Sequence, residues 1–510
     1  MRSLLLGLVP LACTVSTAAP LDREPAQPTK KIAAPSGPII ERGEGCSAEI
    51  ADDEVAAYGA PGRGRGGGAA VTGGAARLRK SASAKLDMAD GEGAADVAMA
   101  PPPAAVAPTT PTAPAAPKPP APAKAAPSGA PAPERMPMVQ APAGVRAGEW
   151  DDNANYRDYV GWLSSTARGV SRLDVSARQF LVVTDRDGKA MPNCKIDVRG
   201  QKGAASLVTM ASGRAMVFPG ALGIGADLTA TASCPGAAPV TGKLDARTLD
   251  GVAHLKLDVS RQLPARRTVD LAFVLDTTGS MAEEIEAVKE TIRTVADKLS
   301  TAQTDVRIGL VEYKDRTDCM LTRTFPFSSD LRAFGAQVAS ISASGGGDTP
   351  EDMHAGLAAA LDKLQWRSDA VARMVVVIAD APPHLDYQNQ RDYADAAKRA
   401  AARGIKLYSV SASGMDDTGQ VVMRQLAQLT GGSNMFVLRG GAGPQSVGGG
   451  DPKSSCGGTH EDFSSGNLDQ LIMRKIRVEL ASLDADPLKI PGRGQDENAK
   501  PCSQRLVLAN

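Results

Sequence analysis

The stretch AFVLDTTGSMAEEI, residues 272–285, decides the fold. An apolar run ends in one carboxylate, Asp276. Two threonines, a glycine and a serine follow, and then helix-forming residues begin. Upstream, TVDLAFVLD (268–276) is a near-continuous apolar strand, the pattern of a strand covered on both faces. Downstream, MAEEIEAVKETIRTVADKLS (281–300) spaces Ile285, Val288, Ile292, Val295 and Leu299 three or four residues apart, one apolar stripe on a helix.

The alternation continues along the chain. DVRIGLVEY (305–313), ARMVVVIAD (372–380) and GIKLYSVSA (404–412) read as buried strands. EDMHAGLAAALDKL, RDYADAAKRAAARG and QVVMRQLAQLTGG read as helices, the last ending in glycines that suit a helix C-terminus. This order predicts an α/β domain over 267–483, Rossmann-like, with a doubly wound, mostly parallel sheet and a closing helix near 468–483. Ligands of such sheets sit beyond the carboxyl ends of the strands.

Oxygen-bearing side chains gather there. Asp276 ends the first strand, and Thr278 and Ser280 follow at every second position, so their hydroxyls can converge with the carboxylate. Asp380 ends another strand. GGGDTPED (345–352) sets Asp348, Thr349 and Glu351 on a loop before a helix. Carboxylate and hydroxyl oxygens suit Mg²⁺ or Mn²⁺. No His or Cys joins the set.

These residues carry a resemblance. DTTGSM after a strand resembles the metal-ion-dependent adhesion site of von Willebrand factor type A domains, Asp-x-Ser/Thr-x-Ser. Asp276, Thr278 and Ser280 match that motif, and Asp380 in IADAPPH matches the later strand-end acid. The middle loop is similar to the integrin β variant, which implies Glu351 as ligand with Thr349 as the alternative. Glu283 and Glu284 fall where integrin β chains carry acids for an adjacent ion; the helix macrodipole also explains acids in a first turn. The resemblance covers about 267–440 and implies binding rather than turnover. The partner is then a protein, matrix or cell-surface ligand whose acidic group completes the shell of the Mg²⁺ or Mn²⁺.

Two other readings compete with this one. DTTGS also resembles the Asp-Lys-Thr-Gly-Thr loop of aspartyl-phosphate enzymes, but position 277 is Thr, not Lys, and IADAPP lacks the paired acids of that family. No His-Glu-x-x-His and no Gly-x-Ser-x-Gly elbow is present, so no enzyme is expected. His384, just past Asp380, can line the ligand face, but a solvent-exposed loop histidine is the expected reading. The other reading is a structural envelope protein whose ion plays no part in recognition.

Ahead of this domain, EWDDNANYRDYVGWL forms an aromatic arm, expected to pack on the module that follows it. QFLVVTDRDGKAMPNCKIDVRG (179–200) carries a hairpin signal. The region 148–262 thus reads as the arm plus a small all-β sandwich, similar to carboxypeptidase regulatory or prealbumin-like modules, in which Cys194 and Cys234 can bridge. Residues 20–145 are rich in Gly, Pro and Ala and are expected to form a disordered tether. Its segment 100–133 favours polyproline II, which at about 3.1 Å per residue reaches on the order of 100 Å. The Gly-rich insertion 439–463 holds Cys456, which can pin it, for instance to Cys319; connectivity is not readable from sequence. The tail 484–510 is polar and expected to be loosely ordered.

Lys+Arg and Asp+Glu both number 57, so no net positive charge draws the chain to nucleic acid. Residues 1–19 read as a signal peptide, with Arg2, a short apolar run and small residues at Ala18–Ala19. Cys13 resembles the modified cysteine of a bacterial lipoprotein, and a lipid there is the one membrane contact expected. Seven cysteines leave six if Cys13 is lipidated or removed, a number that permits disulfides in an oxidising compartment. The expected location is extracytoplasmic: secreted, periplasmic or on the cell surface.

Overall fold

The computed structural model describes residues 37–46, 145–166, 169–245, 250–263, 266–300, 304–388, 390–412, 414–437, 464–491 and 493. The segments 1–19 and 439–463 and most of 20–145 and 484–510 lie outside the described residues. Two short N-terminal strands come first, β1 (Ile39–Arg42) and β2 (Arg146–Trp150), followed by helix α1 (Tyr156–Thr166). Seven strands make the β module: β3 (Arg178–Thr184), β4 (Lys195–Arg199), β5 (Ala204–Val208), β6 (Arg214–Val217), β7 (Leu228–Ser233), β8 (Val240–Leu244) and β9 (Asp250–Lys256). The α/β part then runs β10 (Arg267–Asp276), α2 (Ile285–Ser300), β11 (Thr304–Tyr313), β12 (Met320–Ser328), α3 (Leu331–Ala339), α4 (Met353–Asp362), β13 (Ala372–Ala379), α5 (Tyr393–Ala402), β14 (Ile405–Ser411), α6 (Asp417–Thr430), β15 (Asn434–Val437), β16 (Ser464–Asn467) and α7 (Leu468–Ala481).

One large sheet has the order β1-β12-β11-β10-β13-β14-β15-β2-β16. Its centre, β11-β10-β13-β14-β15, is parallel. β10 is buried along nearly its whole length because both faces are covered. Leu271, Phe273 and Leu275 point to one core, shared with Val288, Ile292 and Val295 of α2 and Leu471 of α7. Ala272 and Val274 point to the other, shared with Leu357 of α4, Ala397 of α5 and Leu426 of α6. The alternation of a strand and the period of a helix thus produce the three layers. The closing helix expected near 468–483 is α7.

The β module consists of two sheets, β6-β3-β9 and β5-β4-β7-β8, packed over Leu181, Val183, Ile196, Val198 and Leu228. Cys194 and Cys234 form a disulfide inside it.

Four expectations need correction. Within the 20–145 tether, residues 37–46 are ordered: β1 pairs antiparallel with β12, and Cys46 is bonded to Cys319. Ile39–Ile40 supplied the strand signal, hidden in Gly- and Pro-rich surroundings. Cys319 therefore does not bond Cys456. The aromatic arm does not simply pack on the β module. β2 enters the large sheet between β15 and β16, and Trp150 packs on Phe436 at 4.2 Å between ring centroids. This pairing spans almost three hundred residues and leaves no local trace, so the β module is inserted between two segments of the α/β unit. The tail is ordered as far as Pro491, because Arg214 of the β module donates to the carbonyls of Asp486, Pro487 and Lys489.

Candidate metal centre

β10 delivers Asp276 to the carboxyl edge of the sheet, opposite Tyr313 of β11. The strand must end there because the chain turns on its own oxygens. Thr278 donates its N–H (2.9 Å) and hydroxyl (2.7 Å) to Asp276 Oδ1. Tyr313 Oη donates to Asp276 Oδ2 at 3.3 Å. Thr278 Oγ1 and Ser280 Oγ lie 3.1 Å apart, and Ser280 Oγ donates to Asp380 Oδ1 at 3.0 Å. Asp380 stands directly after β13, the neighbour of β10, so parallel pairing brings the two acids to one edge.

The middle loop closes the third side. Gly345, Gly346 and Gly347 all have positive φ (76°, 84° and 71°). At Gly346 a Cβ would meet Glu351 Oε1 at 2.7 Å and Thr278 Cβ at 2.8 Å, so only glycine fits between these two side chains. Gly345 O accepts from Gly279 N at 2.9 Å, and Asp318 accepts from Gly346 N at 3.0 Å. Glu351 N donates to Pro382 O and Glu351 O accepts from His384 N, which stitches this loop to the one after Asp380. Asp352 caps α4 by accepting from Ala355 N.

Asp276, Thr278, Ser280 and Asp380 thus form one hydrogen-bonded chain, with Glu351 against Thr278. Thr349 and Asp348 are exposed on the loop and join none of these contacts. Glu283 is exposed; Glu284 is buried, with Oε1 lacking a hydrogen bond among the described residues.

The electrostatics are those of too many buried acids. Burial, and then Asp380, raise the Asp276 carboxyl well above the carboxylate range; burial raises Asp380 as well. Burial, followed by Asp276, Asp315 and Asp318, pushes Glu351 up to about 9. Burial and Asp380 push Glu284 up to about 7. What opposes these shifts comes from hydroxyls and backbone N–H groups, not from lysine or arginine. Glu351 Oε2 is buried with no hydrogen bond among the described residues. Among those residues no group of three or more His, Cys, Asp or Glu can hold an ion by itself. The donor set mixes carboxylates with the hydroxyls of Thr278 and Ser280. That oxygen-only chemistry, an orphaned Glu351 oxygen and an excess of buried negative charge fit a hard divalent cation.

Tyr313, Tyr387 and Arg316 escaped the sequence reading. Tyr313 reaches Asp276 from the end of β11 through its hydroxyl. Beside the site His384 is not the solvent-exposed loop residue expected: it is buried, because it stacks on Tyr387 (3.8 Å between centroids), and its Nδ1 lies 2.8 Å from Asp386 Oδ1. Tyr387 Oη donates to Asp315 at 2.8 Å, and the Arg316 guanidinium covers the other side of the stack, 3.9 Å from the Tyr387 ring centroid. The signal was present: KDRTD directly follows the strand end VEY.

Residues 270–440 match the family model of the von Willebrand factor type A domain. This part of the chain is a von Willebrand factor type A domain. It is 36% identical over 152 residues to alpha-protein kinase vwkA of Dictyostelium discoideum, 29% of this chain and 23% of that protein. It is 37% identical over 127 residues to human von Willebrand factor A domain-containing protein 7, 25% of this chain and 13% of that protein. The chain thus spans less than a quarter of the length of either relative. Among solved structures, an aerotolerance-related membrane protein from Bacteroides fragilis is 18% identical, over 33% of this chain and 90% of that one, with a TM-score of 0.25. Domains of this family serve protein–protein interaction or adhesion, and commonly bind a divalent metal at the adhesion site.

Proposed function

We propose that this von Willebrand factor type A domain recognises an acidic group on a protein or matrix partner through a divalent ion, Mg²⁺ or Mn²⁺. Asp276, Thr278, Ser280, Glu351 and Asp380 would hold the ion, directly or through water, and the ion would supply an electrophilic position for the partner's carboxylate. The observation that carries this reading is the continuous chain Asp276–Thr278–Ser280–Asp380 across two strand ends, with an unpartnered Glu351 oxygen beside it. The acids are buried, while Ser280 is exposed, so the site opens to solvent on one side.

The protein works by binding, not turnover. Thr277 stands where an aspartyl-phosphate enzyme needs a lysine, and its hydroxyl lies 3.2 Å from the Tyr313 carbonyl. Export to an oxidising compartment is supported by Cys46–Cys319 and Cys194–Cys234. The test is calorimetric titration of the whole chain with Mg²⁺ and Mn²⁺, beside Asp276→Ala. Saturable binding by the wild type, absent from a folded variant, supports the reading. No binding by the wild type, or equal binding by the variant, rejects it.

A further inference from the structure

A cavity lies near the amino ends of the strands, where the β module meets the α/β unit. Its volume is about 380 Å³, within the range of small-molecule sites. Phe180, Met210 and Met216 line it from the β module, Val478 from α7 and Ile490 from the segment after α7. Val478 is 57% exposed, one of two large hydrophobic side chains so placed among the described residues; the other, Leu488, adjoins the cavity-lining Lys489.

One buried hydroxyl in the lining, Ser433 Oγ, has no hydrogen-bond partner among the described residues, and its residue is 2% exposed. A buried hydroxyl left unpaired is costly, and an acceptor brought by a ligand would satisfy it. The charges in the lining favour an anion. Lys406 pairs with Glu479 and Lys475 with Glu149. The acid Asp151 spends its Oδ1 on the N–H groups of Asn153 and Ala154. Among the described residues Arg214 donates to carbonyls, and Lys489 is exposed and forms no ion pair.

We propose that this cavity binds an anionic amphiphile: an apolar tail against Met210, Met216 and Val478, and a carboxylate that accepts from Ser433 and faces Lys489. The site is independent of the metal centre. The test is calorimetry on the full chain in EDTA, with decanoate as probe and decanol and decyltrimethylammonium as its neutral and cationic counterparts. Decanoate should bind saturably and at least about tenfold more tightly than either counterpart. Val478→Trp, at an exposed position that leaves the core untouched, should abolish binding without lowering the melting temperature. Ser433→Ala should weaken it about tenfold. Absence of saturable decanoate binding, equal binding of the counterparts, or unchanged affinity in Val478→Trp would overturn the proposal.

Discussion

Ser280 Oγ donates to Asp380 Oδ1 at 3.0 Å, joining two loops one hundred residues apart in sequence. The bond neutralises no charge. It holds Asp380 near Asp276 while both acids resist ionisation through burial. Charge removal and ligand removal should therefore separate. Asp276→Asn keeps the shape and removes one buried charge, so in EDTA it should melt no lower than the wild type. Millimolar Mg²⁺ should raise the wild-type melting temperature and leave the variant unmoved. Ser280→Ala should lose about 1 kcal/mol without metal and most of the response to it. An equal Mg²⁺ response in all three proteins would disprove this.

Glu351 and Thr349 offer a sharper contrast. Sequence left both open, but only Glu351 is buried against Thr278. Glu351→Gln should weaken Mg²⁺ binding roughly tenfold or more, whereas Thr349→Val should leave it unchanged. The measurement is the dissociation constant by titration; the reverse ranking would move the ligand to Thr349.

His354 gives a pH signature apart from the acids. It sits on α4, 3% exposed, stacked on Tyr393. Burial lowers it from 6.5 to about 4; Asp392 opposes the shift, while Arg172 and His384 reinforce it. Between those values the unfolded chain takes up a proton that the folded one refuses. The neutral ring's contribution is complete above pH 6.5 and declines as the pH falls toward 4, by roughly 3 kcal/mol at most. Urea unfolding at a series of pH values should show a shallower acid-side loss in His354→Gln. Parallel curves for the two proteins would rule the mechanism out.

Much of this was legible because it is periodic or local. β10 shows its burial in its apolar run, α2 shows its stripe, and Asp276, Thr278 and Ser280 lie within five residues. Asp380 was legible from topology, since parallel strands end on one edge. The illegible parts are long-range. Nothing in RAGEW tells that β2 pairs with Asn434–Val437, and nothing in GPIIERGEGC tells that Cys46 reaches Cys319. Edge pairing depends on backbone groups that every sequence has, so composition alone assigned both segments elsewhere.

The arm's place in the sheet rests on a buried ion pair. Arg424 Nε of α6 donates to Asp152 Oδ2 at 2.8 Å, and both residues are at most 2% exposed. The guanidinium lies 3.9 Å from the Trp162 ring centroid, 4.9 Å from that of Trp150 and 5.3 Å from that of Tyr159. These are three of the four aromatics of the arm, and they surround a cation brought by another helix. Burying the two charges is expensive, so the pair adds little beyond an apolar equivalent. Removing one partner leaves the other stranded. Asp152→Asn should cost about 3–5 kcal/mol, whereas Asp151→Asn, in the turn beside it, should cost about 1 kcal/mol. Because the arm carries β2, hydrogen exchange should accelerate first at Arg146–Trp150 and its partners Asn434–Val437. The double variant Asp152→Asn/Arg424→Met should recover part of the loss, since no charge is then left buried alone. Additive losses in the double variant would show that the two residues do not act as a pair.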